Sequence, residues 1–163
     1  MPYAVQGKPF TRLVVEYNGI KSRPIAIPIA PVAPGIFTVA SGSGPVSALN
    51  QDGSVNTPQS PANRGSVVVF FVTGEGQTNP GGVDGRLNEF TRLEDFPRPI
   101  QAPRVTVGGQ PAEILFAAGA PGFLAGLMQF NVRIPEGLTP GPSPLEISIG
   151  SVTSQAGVTI AVR

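Results

Sequence analysis

The amino-acid sequence predicts an all-β protein. Val, Ile and Thr are about twice as numerous as the helix formers Leu, Met, Lys and Glu, and branched side chains favour the pleated sheet over the helix. The 163 residues include 21 Gly and 19 Pro, which indicates many turns. Val, Ile, Phe and Leu are nevertheless frequent enough to bury a core. We therefore expect short strands joined by turns, with no long amphipathic helix.

The composition argues against several classes of function. The 11 basic and 10 acidic residues nearly balance and are scattered along the chain, so no basic tract is available to a nucleic acid or an anionic membrane. His and Cys are both absent, which removes the commonest general base, the commonest transition-metal ligand and every disulfide. The longest apolar run, residues 67–72, is too short to cross a bilayer. The sequence predicts a protein that is no enzyme, needs no cofactor and spans no membrane.

The N-terminal segment contains a hairpin signal. Asn18-Gly19 lies between two apolar runs, and both central residues of a type I′ turn need a positive φ angle. Residues 10–29 are therefore predicted to form a β-hairpin. The apolar stretch from Ile25 to Phe37 is interrupted at every third residue by Pro28, Pro31 and Pro34, which favours an extended, stiff connector.

The next residues predict short strands separated by turns. Strands are expected at 35–39 and 46–50, followed by a turn at 51–54 and a loop with Pro and Gly at 56–65. Residues 66–73 are apolar on both faces of a strand, which is typical of the centre of a sandwich.

Residues 74–103 differ from the rest of the chain. They are rich in Gly and Pro and contain much of the acidic charge. A connection of this length without strands is uncommon inside a compact domain and is usually functional or mobile. We expect a long surface excursion here.

Strand patterns resume after the excursion. The expected strands are 104–107, 112–116, 127–132, 145–149 and 158–162. The part of the chain after the proline-rich connector then holds about seven to eight short strands with turn signals between them, the pattern of an immunoglobulin-like β-sandwich.

The two ends of the chain resemble each other. Residues 2–29 and 134–162 each consist of a lead-in with Pro and Gly, a strand, a turn of small residues with Ser, and a last strand of alternating Ile or Val. If the second copy is the terminal hairpin of a complete sandwich, the first is the terminal hairpin of a preceding unit. The alternative is that any two hairpins rich in Val, Gly and Ser look alike. On this pattern the chain divides into an incomplete unit, residues 1–31, and a complete sandwich, residues 32–163.

Several blocks of sequence also resemble a protein family. They are residues 14–22, 33–38, 48–56, 64–66, 73–76, 105–109, 116–123 and 126–135. In these blocks the chain resembles the uncharacterised C-terminal domain of secreted acidobacterial proteins. The resemblance implies secretion, immunoglobulin-like sandwiches of the transcription-factor type, and a place at the end of larger exported proteins. It supplies no catalytic residues, and no signal peptide is visible at Met1-Pro2-Tyr3, where the chain starts at the final hairpin of a unit.

Few residues offer chemistry. Gly74-Glu75-Gly76 lacks the third glycine and the following helix of a dinucleotide-binding loop, so a turn is the better interpretation. The carboxylates within residues 84–95 are expected to be solvated loop charges. A weak calcium site formed by Asp84, Glu94, Asp95 and backbone carbonyls stays open as an alternative.

The isolated hairpin is the best candidate for an interaction element. Two strands alone are marginally stable in water and expose their backbone edges, so residues 1–30 are expected to dock on their own domain or to be completed by another chain. Aromatic residues on loops are further candidates, because such a side chain folds back onto its own domain or meets a partner. The candidate interface residues are Tyr3, Phe10, Val14, Tyr17, Ile25, Ile27, Phe90 and Phe96.

These observations predict a non-enzymatic structural protein outside the cell or on its surface. Strand addition made head to tail does not close on itself and generates a filament or tube, so we expect a homo-oligomer or polymer built through residues 1–30. The alternative is a carbohydrate- or surface-binding accessory domain of a larger secreted protein. That module would bind a cell-surface glycan with the exposed loops of residues 74–103.

Overall fold

The structure is a computed structural model that describes residues 2–40 and 42–163. It is almost entirely β, which confirms the all-β class expected from the sequence. The strands are β1 Phe10–Leu13, β2 Glu16–Tyr17, β3 Ile20–Lys21, β4 Ile25–Pro28, β5 Gly35–Ile36, β6 Gly44–Pro45, β7 Ala48–Leu49, β8 Val67–Thr73, β9 Thr78–Asn79, β10 Arg98–Pro99, β11 Pro103–Val107, β12 Gln110–Gly119, β13 Met128–Arg133, β14 Gly141–Ile149, β15 Val152–Thr153 and β16 Val158–Val162. Two short 3₁₀ helices span Tyr3–Val5 and Leu93–Asp95.

Residues 32–163 contain more strands than the sequence predicts. The additional strands are two-residue segments such as β6 and β15, which pair with longer strands. Segments this short carry too little side-chain periodicity to be recognised in a sequence.

One large curled sheet dominates the fold. Its strand order is β5-β8-β13-β12-β11-β14-β16-β6, with β7 beside β8 and β15 beside β14. The long strands β12 and β14 each change partner along their length: β12 pairs first with β11 and then with β13, and β14 pairs first with β16 and then with β11. Such changes of partner let a sheet turn a corner and enclose a core.

The core is built from both halves of this sheet. Side chains of β8 and β13 meet at Phe70 and Phe130, whose rings stack with centroids 5.8 Å apart. Ile147 of β14 and Ile160 of β16 belong to the same cluster of buried side chains. Alternate residues of β8, β13, β14 and β16 are buried, as the pleat requires when one face of a strand covers the core. The outward-facing apolar residues of β8 are half-buried, so this strand is covered fully on one face.

The excursion at residues 74–103 is more ordered than the sequence predicts. Strands β9 and β10 pair within it, and Asn88 and Phe96 are buried. The N–H of Gly119 donates to the carbonyl of Pro97 at 2.7 Å, which ties the excursion to β12. A Gly- and Pro-rich composition indicates turns, but it does not show which residues of the excursion pack against the large sheet.

Candidate interaction surface of the N-terminal hairpin

Local sequence signals form the N-terminal hairpin. Strands β1 and β4 pair antiparallel, with Leu13 opposite Ile25. Strands β2 and β3 continue the hairpin to its tip, where Asn18 and Gly19 have φ angles of 49° and 77°. Positive φ angles at both central residues are those of a type I′ turn. The dipeptide that predicts the turn therefore also builds it.

Ser22 joins the two short ladders of this hairpin. Its hydroxyl accepts a hydrogen bond from the N–H of Val15 at 3.0 Å, and its own N–H donates to the carbonyl of Val15 at 2.8 Å. The hydroxyl also donates to the carbonyl of Arg23 at 3.0 Å. The side chain thus supplies a hydrogen-bond partner where the backbone ladder is interrupted.

The C-terminal hairpin has the same construction. The N–H of Ile147 donates to the hydroxyl of Ser154 at 3.1 Å, and the N–H of Ser154 donates to the carbonyl of Ile147 at 2.8 Å. In both hairpins the serine lies seven residues after its backbone partner. The tip pairs Ile149 with Val152, in the place that β2 and β3 occupy in the first hairpin.

The arms of the two hairpins also share one register. Thr11 lies opposite Ile27 in the first hairpin, and Ser143 lies opposite Ile160 in the second. The neighbouring pairs of both ladders correspond in the same way. One additional residue lies in the connection before β16. The shared pairing favours an internal repeat over a chance likeness of two hairpins.

Equivalent positions of the two hairpins differ in burial. Leu145 and Ile147 are 1% and 0% exposed and belong to the core. Their counterparts Leu13 and Val15 are 48% and 60% exposed. The same apolar pattern is therefore covered in the second hairpin and open to solvent in the first.

We call the side of the first hairpin that carries Leu13, Val15, Tyr17, Ile25 and Ile27 the hairpin face. These residues alternate along their strands and therefore lie on one side of the ribbon. Tyr17 and Ile25 are 76% and 63% exposed, and Ile27 is half-buried. In the described part of the segment that precedes Val32, no residue is buried. The hairpin face therefore has the apolar composition of a buried core face, but no other part of the described chain buries it.

The interface residues expected in the hairpin lie on both of its sides. Tyr17, Ile25 and Ile27 belong to the hairpin face. Phe10 and Val14 lie on the opposite side and are exposed there. The eight candidates therefore do not form one surface.

Leu13 and Val15, two members of the hairpin face, are not among the interface residues expected from the sequence. The alternation of apolar residues through 13, 15 and 17 is the signal that finds them. It is obscured because Val14, on the other side of the ribbon, is apolar as well.

Tyr3 is engaged within its own chain and is not a free interface residue. Its hydroxyl donates to the Oε1 atom of the buried Glu75 at 2.5 Å. The backbone N–H groups of Tyr3 and Ala4 donate to the carboxylate of Asp84 at 2.6 and 3.1 Å. Burial, and then the hydrogen bond and negative charge of Glu75, raise the pKa of Tyr3 far above its usual range. This contact fixes the start of the chain to the excursion.

A cleft of about 610 Å³ lies beside Tyr3, between the N-terminal segment and the body. Its lining includes the polar side chains of Glu75, Gln77 and Gln101 and the exposed Ile100. A mixture of apolar walls and a few polar groups is typical of small-molecule sites, and the volume lies within their usual range.

Phe96, expected from the sequence at an interface, is buried in the structure. Its ring packs edge to face against Phe90 and Phe116, with centroids 5.2 and 6.4 Å apart. Phe90 is half-buried, and the guanidinium of Arg86 lies 5.9 Å from its centroid. These loop aromatics fold back onto their own domain, the first of the two alternatives for such residues.

The acidic residues of the excursion serve separate contacts. Asp84 accepts the two backbone hydrogen bonds of the N-terminal segment, and Glu94 forms an exposed ion pair with Arg92. Among residues 2–40 and 42–163, no group of three or more acidic side chains is placed to hold a metal ion. The three carboxylates proposed for a calcium site therefore do not converge.

In the part of the chain that the structure describes, no helix is long and apolar enough to cross a membrane. No family model matches this chain, and comparisons with curated proteins and with solved structures gave no match.

Proposed function

We propose that this protein is a non-enzymatic extracellular structural or interaction module that joins neighbouring β-sandwich units head to tail. Residues 1–30 provide the joint by strand complementation. Further copies of this chain are the simplest neighbours, and a filament or tube is the resulting assembly. The contact is heterologous, so it propagates instead of closing.

The exposure of the hairpin face is the observation that carries this proposal. Burying one Leu, Ile or Val side chain fully is worth about 1.5–3 kcal/mol, and several such side chains lie together on this face. Within the described residues, β1 and β4 pair only with each other. Their outer edges therefore offer unpaired backbone groups to a neighbour as well.

The proposal also covers the fold of the module and its extracellular location. A curled all-β sheet around one core supports an immunoglobulin-like β-sandwich for residues 32–163. The blocks of sequence that resemble the secreted acidobacterial domain support an extracellular location. Both statements agree with a structural role, since such sandwiches serve widely as modules of surface proteins.

Sedimentation velocity of the full chain tests the self-association. The weight-average sedimentation coefficient is expected to rise with concentration, with filaments visible by electron microscopy. The double variant Val15→Asp with Ile25→Asp places two charges on the hairpin face and should remain monomeric. The control Ser151→Asp with Ala156→Asp adds the same charge at exposed positions of the second hairpin and should associate like the natural chain. A natural chain that stays monomeric at high concentration refutes assembly from copies of this chain.

The cleft beside Tyr3 favours a second candidate, a carbohydrate- or surface-binding accessory domain. Amide and carboxylate groups next to apolar walls suit hydroxyl-bearing ligands. A glycan array probed with the full chain would reveal binding, and Gln101→Ala in the lining should weaken it. Gln59→Ala, at an exposed position outside this cleft, is the matched control. Silence of the array counts against this candidate.

A further inference from the structure

We infer that the hairpin face receives a β-sandwich body of the same kind as residues 32–140, one whose own hairpin position is vacant. Residues 10–29 would occupy on that body the place that residues 141–162 occupy in this chain. The inference rests on the proposed role of residues 1–30 in joining β-sandwich units, and it narrows the neighbour from any further copy of this chain to a unit whose hairpin position is vacant.

The first step is the structural likeness of the two hairpins. They share the length of the tip loop, the serine that bonds twice to the opposite strand, and the register of the arms. The turn itself differs, because both loop residues have positive φ angles in the first hairpin and only Gly150 has one in the second. Two inward side chains agree in kind, since Leu13 matches Leu145 and Val15 matches Ile147, whereas Tyr17 stands where the second hairpin has the buried Ile149. A hairpin with the same register and a similar apolar face fits the same kind of surface.

The second step is the cover of the C-terminal hairpin. Its inward side chains share one core cluster with Val68, Phe70, Phe130 and Val132 of β8 and β13. Its edges are also paired, because β14 continues onto β11 and β16 runs parallel to β6. A body of this kind therefore supplies both the apolar cover and the edge strands that the first hairpin lacks.

The third step is that this chain has no vacant position for its first hairpin. The described chain holds two hairpins of this type and one body, and the position on that body is filled by β14, β15 and β16. The acceptor of residues 10–29 is therefore a different body. A second copy can serve only if it releases its own C-terminal hairpin.

A covalent fusion tests this inference. Residues 32–133 are placed directly before Pro2 of the full chain, so that the copied body runs into the first hairpin through a connection of native length. Backbone amides of residues 10–29 should then exchange with solvent at least about 100-fold more slowly than in the unfused chain, as expected for strands covered in a core. The same fusion with Val15→Asp and Ile25→Asp is the control and should leave these amides fast. Unchanged exchange in the first fusion overturns the inference.

A hairpin exchange keeps the test decisive if the fusion does not fold. In the full chain, residues 142–161 are replaced by the sequence of residues 10–28. The inference predicts that this chimera folds and unfolds cooperatively, because the body receives an equivalent apolar face. A chimera carrying Asp at the positions of Val15 and Ile25 should not fold. If the first chimera also fails to fold, the inference is wrong.

The two proposals fail in distinguishable ways. If the amides of residues 10–29 exchange slowly in the fusion while the unfused chain is monomeric, the inferred acceptor is supported and assembly from copies of this chain is rejected. If the unfused chain assembles with rising concentration while these amides exchange fast in the fusion, assembly from copies is supported and the inferred acceptor is rejected.

Discussion

The hydroxyl of Ser22 accepts a hydrogen bond from the N–H of Val15 at 3.0 Å, and the N–H of Ser22 donates to the Val15 carbonyl at 2.8 Å. Ser154 and Ile147 repeat this pair of contacts in the C-terminal hairpin, where both residues are buried. A hydroxyl in this position satisfies a backbone donor that an interrupted ladder leaves without a partner. The same serine hydrogen bond occurs once in an exposed hairpin and once in a buried one. Its contribution to the free energy of unfolding can therefore be compared with and without burial.

Ser154→Ala should destabilise the protein more than Ser22→Ala. The first change leaves the buried N–H of Ile147 without its partner, which costs about 1–3 kcal/mol. The second leaves an exposed N–H that water can satisfy, and surface changes usually stay within about 0.5 kcal/mol. Urea unfolding of both variants at low protein concentration measures the difference. Equal losses of unfolding free energy would contradict the assigned burial.

The two equivalent leucines provide a matched test of packing. Leu145→Ala removes a side chain from the core and should lower the unfolding free energy by about 2–5 kcal/mol. Leu13→Ala changes an exposed position and should cost less than about 0.5 kcal/mol in the monomer. Thermal or urea unfolding of the two variants gives the values. A large loss for Leu13→Ala in dilute solution would mean that this chain covers its own hairpin.

The contact between Tyr3 and Glu75 should weaken at alkaline pH. Because the pKa of Tyr3 is raised in the folded protein, the protonated phenol stabilises the native state, and this contribution is lost progressively as the pH rises above the ordinary tyrosine value of about 10. The chain has two tyrosines, so ultraviolet titration of Tyr17→Phe reports Tyr3 alone. Its phenol should ionise well above the pH at which tyrosine in an unfolded peptide does. Ionisation at the ordinary pH would refute the docking of the N-terminal segment.

Gly82→Ala should disturb the same contact by a steric route. A β-carbon at this position would overlap the ring of Tyr3, so the ring must leave its place or the excursion must shift. We expect faster exchange of the amides of Tyr3 and Ala4, with the core amides unchanged. Gly81→Ala is the control, because a β-carbon there meets no neighbouring atom. Identical exchange in the two variants would contradict the position of Tyr3.

Phe96→Ala should loosen the excursion. The ring is buried between Phe90 and Phe116, and truncating a buried Phe costs about 3–5 kcal/mol. Limited proteolysis should show earlier cleavage within residues 74–103. Leu93→Ala, at an exposed position of the same excursion, should leave the cleavage rate unchanged.

The sequence predicts those parts of the fold that depend on local signals. The Asn18-Gly19 turn, the continuous apolar run of β8 and the alternating side chains of β16 reflect side-chain chemistry close in sequence. The fold of the excursion was not predictable in this way. Phe96 is buried by contacts with Phe90 and with a residue of β12, and composition carries no information about such a distant partner.

The candidate surface was predictable only in part. The repeat of the two ends drew attention to residues 1–30, but the register that matches Val15 with Ile147 required backbone pairing. Tyr3 is an expected interface residue because it lies within residues 1–30, whereas its hydroxyl donates a hydrogen bond to Glu75, which is distant in sequence. Gly74-Glu75-Gly76 carries no sequence signal for such a contact.

Amide hydrogen exchange of the dilute natural chain tests most directly the claim that it contains one hairpin twice, once covered and once open. Cross-strand nuclear Overhauser effects should connect Arg12 with Ala26 and Pro144 with Thr159, which reports the shared register. The amides of Val15 and Ile147 both donate to a serine hydroxyl, yet that of Ile147 should exchange slowly and that of Val15 fast. A Val15 amide as protected as that of Ile147, or a different register in the first hairpin, would contradict the account.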